Sequence, residues 1–78
     1  MNSKQSRAAR GLLKWSQRQL ADESGVGLST IADFENDKRE PRADNLIAMC
    51  RALEDAGVVF EDDGKYVGVK LKIRRTKQ

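Results

Sequence analysis

Apolar positions recur at helical spacing through most of the chain, then switch to alternation near its end. From Ser3 to Lys14, Gln5, Ala9, Leu12 and Leu13 share one predicted helical face, opposite Lys4, Arg7 and Gly11. Ser3 is placed to cap this helix. Ser16 is a good cap for a second, short helix, Gln17 to Ser24, with Leu20 and Ala21 turned inward. Gly25 ends that helix in the left-handed conformation glycine adopts at low cost. A third helix is predicted from Leu28 to Asn36, with Ile31 and Phe34 toward the core and Ser29, Ala32, Asp33 and Asn36 on the outer stripe. Pro41, the only proline, closes the connector NDKREP. A fourth helix, Ala43 to Ala56, lines up Leu46, Met49, Leu53 and Ala56, with Cys50 at the edge and Gly57 as the stop. Then Val58 to Phe60 forms an apolar run and Asp63-Gly64 a turn cue. Val67, Val69, Leu71 and Ile73 alternate with Gly68, Lys70, Lys72 and Arg74, which is strand periodicity.

Composition narrows what such a chain does. Seventy-eight residues make one domain with a thin core, a size at which a partner subunit often adds stability. Hydrophobic residues are 38% and charged residues 35% of the chain. No apolar run approaches the ~18 residues of a membrane span, and MNSKQSRAAR lacks an apolar signal core, so a cytoplasmic protein is expected. A single cysteine excludes an internal disulfide, and Cys50 reads as a small packing residue. The absence of histidine removes the usual general base and metal ligand. No catalytic constellation stands in its place, so neither an enzyme nor a cofactor is expected. Fifteen basic against twelve acidic residues give a net charge of +3, which fits nucleic-acid binding without requiring it.

Spacing supplies the sharper signal. Counting from Gln17, alanine falls at the fifth position (Ala21), glycine at the ninth (Gly25) and isoleucine at the fifteenth (Ile31). A small residue permits two short helices to cross closely, glycine reorients the chain by roughly 90–120°, and Ile31 with Phe34 anchors the second helix. This is a helix-turn-helix pattern. The expected fold is mainly α, a four-helix bundle of this type with a C-terminal β-hairpin or strand.

Within WSQRQLADESGVGLSTIADFENDKREP, the elements SQxxLA, GV, STI, FEN and the basic turn before Pro41 resemble the Cro and lambda-repressor-like (XRE-type) family of helix-turn-helix regulators. The resemblance runs from Arg7 to Leu53. It implies a recognition helix beginning at Leu28 and lying in the major groove of double-stranded DNA. Leu28, Ser29, Thr30, Ala32 and Asp33 would then meet base edges. Gln17, Lys38, Arg39 and Arg42 would meet the sugar-phosphate backbone, with Arg18, Asn36 and Asn45 as weaker candidates. Arg10 and Glu35 are expected to meet as a partly buried pair, read first as plain structural pairing and second as a device that fixes the recognition helix against the body. Three residues depart from the family's habit. Gly27 stands where a hydroxyl cap is usual, Leu28 where a polar or basic residue is common, and Asp33 puts an acid on the DNA face.

The tail reads as a dimer contact. Residues 1–57 form the DNA-binding unit, and residues 58–78 a hairpin and basic end without independent stability. Val67, Val69, Leu71 and Ile73 are the expected interface, pairing across a two-fold axis. The terminal KLKIRRTKQ reads first as a solvated end and second as a DNA-binding arm. The leading functional expectation is a sequence-specific regulator, a repressor binding as a homodimer. The alternative is an antitoxin-type interaction module whose tail holds a protein toxin.

Overall fold

A computed structural model describes residues 1–73. Four helices, α1 (Ser3–Leu13), α2 (Gln17–Ser24), α3 (Leu28–Glu35) and α4 (Ala43–Asp55), precede an antiparallel hairpin of β1 (Val58–Asp62) and β2 (Val67–Leu71). Leu20, Ile31, Met49 and Leu53 are fully buried and form the centre of the core. Ala9, Val26, Phe34 and Val58 complete it, with Leu13, Trp15, Leu46, Phe60, Val69 and Leu71 packed around the margin. The hairpin is part of this body: Gln5 Nε2 donates to the carbonyls of Glu61 (3.0 Å) and Gly68 (3.1 Å), stitching α1 across both strands.

The helix boundaries follow from local chemistry. Asn2, not Ser3, caps α1. Its side chain accepts from the Gln5 N–H (2.8 Å) while the Gln5 side chain accepts from the Asn2 N–H (2.9 Å), a reciprocal capping box. Ser16 caps α2 by accepting from the Gln19 N–H. Gly25 closes α2 at φ 75°, its N–H returning to the Ala21 carbonyl. Asn36 and Ala56, expected inside α3 and α4, are instead the residues that end them. Gly57 then turns the chain at φ 109°.

Two expectations about packing are corrected. Leu12 is 44% exposed, and the fully buried Ser6 takes the inward place on α1. The inward stripe of α1 therefore runs through Gln5, Ser6, Ala9 and Leu13 and is half polar. In the hairpin, β2 ends at Leu71, and Ile73 lies beyond it, 79% exposed. The connection is a four-residue loop, Asp63 to Tyr66, because one carboxylate oxygen of Asp63 accepts from the backbone N–H groups of both Lys65 and Tyr66. Arg74, Arg75 and Lys77 of the basic end lie outside the described residues.

Candidate nucleic-acid interface

The turn between α2 and α3 is built by short-range bonds. Ser24 Oγ donates to the Leu20 carbonyl (2.7 Å) and accepts from the Val26 N–H (3.2 Å), so one hydroxyl spans the end of α2 and the turn. Val26 is buried and pins the turn to the core. Gly27 caps α3 in an extended conformation with no side-chain acceptor, leaving the donors of the first helical turn unbonded by any side-chain cap. Ile31, Phe34 and Glu35 face inward. The opposite face exposes Ser29 and Asn36, with Leu28 39% exposed and Thr30, Ala32 and Asp33 half-buried.

Glu35 holds α3 to the rest of the molecule. Its carboxylate side chain is 1% exposed and accepts from Arg10 Nη2 (2.7 Å) and Nε (2.9 Å), Ser6 Oγ (2.6 Å) and Gln17 Nε2 (3.0 Å). Arg7 donates to the Glu35 backbone carbonyl. Arg10 also reaches the carbonyl of Trp15 (2.9 Å), so a single guanidinium ties α1, the α1–α2 connection and α3 together. Burial alone would push the Glu35 carboxyl up. Hydrogen bonds from Arg10, Ser6 and Gln17, with the Arg10 charge, outweigh burial and hold it below its ordinary value.

A model of the helix-turn-helix family matches residues 7–54. The chain belongs to that helix-turn-helix family. The matched span runs from within α1 almost to the end of α4 and contains both α2 and α3. A search of curated proteins finds no match. The family is one of DNA-binding regulators of the lambda-repressor-like type, and no helix among the described residues is long and apolar enough to cross a membrane.

The cations that the sequence marks around the helix-turn-helix unit are exposed. Lys38 and Arg39, in the connector after α3, and Arg42, which caps α4, are all exposed. Arg42 pairs with Asp44 at 3.0 Å, a solvated contact of small energetic weight. Arg18 is exposed on α2 and Asn45 half-buried on α4. Gln17 differs from the rest: its half-buried side chain donates to Glu35 (3.0 Å), and its backbone N–H stands at the first position of α2. Ser6 and Val26 escaped the sequence reading. Ser6 precedes Arg10 by four residues and so shares its helical face, which is the signal that would have found it.

Proposed function

We propose that this protein is a sequence-specific repressor that binds double-stranded DNA as a homodimer, with α3 in the major groove. The observation that carries this reading is the outer face of α3. Its first turn has no side-chain cap and exposes Leu28 beside the small Ser29, and the cations Lys38, Arg39 and Arg42 follow it. Leu28 meets a thymine methyl, Ser29 and Thr30 bond base edges, Ala32 permits close approach, and Asp33 accepts from a cytosine amino group. Lys38, Arg39 and Arg42 meet phosphates, aided by the Gln17 backbone N–H and by Arg18, Asn36 and Asn45. Arg10 and Glu35 keep α3 at a fixed angle to α2 and touch no DNA. Residues 58–78 supply the dimer contact, so that two copies address two half-sites roughly one helical turn apart. The protein works in the cytoplasm, on the nucleoid.

Selection of bound duplexes from a random pool tests this reading directly. The expected product is a pair of inverted half-sites about 10 base pairs apart, centre to centre. A pool that stays random after several rounds would remove sequence specificity from the proposal. A single unpaired half-site would remove the dimer. Co-purification of a second small protein bound to the tail would move the reading toward an antitoxin.

A further inference from the structure

The hairpin carries a free edge whose partner can be named down to its register. In the β1–β2 ladder, Asp63 N–H donates to the Tyr66 carbonyl (3.1 Å) and Lys72 N–H to the Gly57 carbonyl (2.9 Å). Hydrogen-bonded pairs alternate with non-bonded ones, so Glu61–Gly68 and Val59–Lys70 are bonded pairs too. The backbone groups of Val67, Val69 and Leu71 therefore point away from β1, and they have no backbone partner among the described residues. On one face of β2, Val69 and Leu71 pack toward the core. On the other, Lys70 reaches Glu61 at 3.1 Å, and Gly68 leaves a notch directly opposite Glu61.

We infer that this edge is filled by β2 of a second copy, antiparallel, with Val69 opposite Val69 across the two-fold axis. The inference rests on the homodimer proposed above and specifies its contact. Only pairings that set outward-pointing residues against each other form ladder bonds, which confines the axis to the neighbourhood of Gly68, Val69, Lys70 or Leu71. An axis at Val69 pairs all five residues of both strands. It sets Val67 against Leu71 of the second copy, twice, and covers the exposed part of Val67. An axis at Lys70 sets two ammonium groups directly opposite each other, which destabilises a cross-strand pair. Axes at Gly68 or Leu71 run one strand end into the turn or past the ladder and pair fewer residues.

Charge selects the same register. With the axis at Val69, Gly68 lies opposite Lys70 of the second copy. Glu61, Gly68 and that Lys70 then sit on three successive strands and one face. Because Gly68 has no side chain, the second copy's lysine passes over it toward Glu61, whose Cα is about 10 Å from its own, two strand spacings. Two Glu61 and two Lys70 side chains alternate across the sheet with no net charge. On the opposite face, Leu71 of the second copy comes up beside a groove of about 190 Å³ lined by Lys4, Gln5, Ala8 and β2 residues 67–69.

Pulsed dipolar spectroscopy on the full chain tests the register, with Cys50→Ala as background and spin labels at Tyr66→Cys or Ile73→Cys. At about 3.4 Å per residue, an axis at Val69 separates backbone positions 66 by ~20 Å and positions 73 by ~27 Å. An axis at Lys70 exchanges the two values, so label length cancels in the comparison. The expected result is the shorter distance at 66. The reverse order overturns the register and leaves the dimer standing. A dimeric mass with distances that fit no β2 pairing overturns the interface. A monomeric mass with no coupling overturns the homodimer itself. Mixing Glu61→Lys chains with Lys70→Glu chains tests the cross-subunit charges. Each variant alone should self-associate about tenfold more weakly, and the mixture should recover as heterodimer. A mixture no tighter than either variant removes the Glu61–Lys70 contact between copies.

Discussion

Replacing Arg10 with alanine should destabilise the fold more than any other single surface-reaching change in the recognition unit. The Arg10 side chain is 18% exposed and supplies the only full positive charge on the Glu35 carboxylate among the described side chains. Its loss leaves a carboxylate at 1% exposure with Ser6 and Gln17 as remaining donors. Breaking a buried pair by removing one partner costs about 3–5 kcal/mol, because the other charge stays buried. Domains are stable by roughly 5–15 kcal/mol, so the variant sits near its unfolding threshold at room temperature. The decisive comparison is Arg10→Ala/Glu35→Gln. Neutralising the orphaned carboxylate should recover about 2 kcal/mol relative to Arg10→Ala alone, since the amide oxygen still accepts from Ser6 and no charge is stranded. Urea denaturation at pH 7, followed by Trp15 fluorescence, reads all three chains. An Arg10→Ala chain within about 1 kcal/mol of the parent, or a double variant no more stable than the single, would refute the reasoning.

The same pair sets the acid limb of stability. The Glu35 carboxyl is held below its ordinary value near 4.5 in the folded state, so its contribution is present above that value and is lost as pH falls through the folded one. The parent should weaken on acidification by this route. In Arg10→Ala, burial is opposed by fewer donors, the folded carboxyl rises, and the gap between variant and parent should narrow as pH falls from 7 to 4.

Other outcomes follow from single positions. Gly11 is exposed, and a β-carbon added there meets no heavy atom within 4 Å, whereas Gly25 holds φ 75°. Gly11→Ala should therefore raise stability by about 0.5–1 kcal/mol, and Gly25→Ala should lower it by about 1 kcal/mol or more, measured as opposite shifts in melting temperature. Lys38→Ala should weaken binding to all duplexes alike and flatten the salt dependence by about one counterion, read by fluorescence titration at several salt concentrations. Asp33→Ala should change the selected sequence and leave the salt slope nearly intact; equal loss on every duplex would place Asp33 outside base readout.

The helices were legible because each is punctuated by a residue with one strong local preference. Gly25 takes the left-handed turn, Ser16 the cap, and Ile31 with Phe34 the inward stripe. The strand alternation likewise announced the hairpin. The start of α1 was ambiguous because Asn2 and Ser3 both cap well; only the reciprocal bond from Gln5 distinguishes them. The loop length was hidden because Asp63-Gly64 signals a tight turn equally well in two residues or four. It is the double acceptance by Asp63 that lengthens it.

The misplacement of Ser6 and Leu12 on α1 has one cause. Apolar periodicity assigns polar residues outward and leucines inward, and α1 and α3 break that rule in both directions. Ser6 and Glu35 are buried because a carboxylate with four donors is satisfied away from water, so the network, not hydrophobicity, orients α1 against α3. Leu28 is exposed at the start of a helix whose inward side is already filled by Ile31 and Phe34. A buried polar cluster and an exposed apolar residue thus occupy the inner and outer faces of the same eight-residue helix. The inner one fixes where α3 stands. The outer one is the surface it offers, and a hydrophobic pattern reads both as mistakes because neither serves the core.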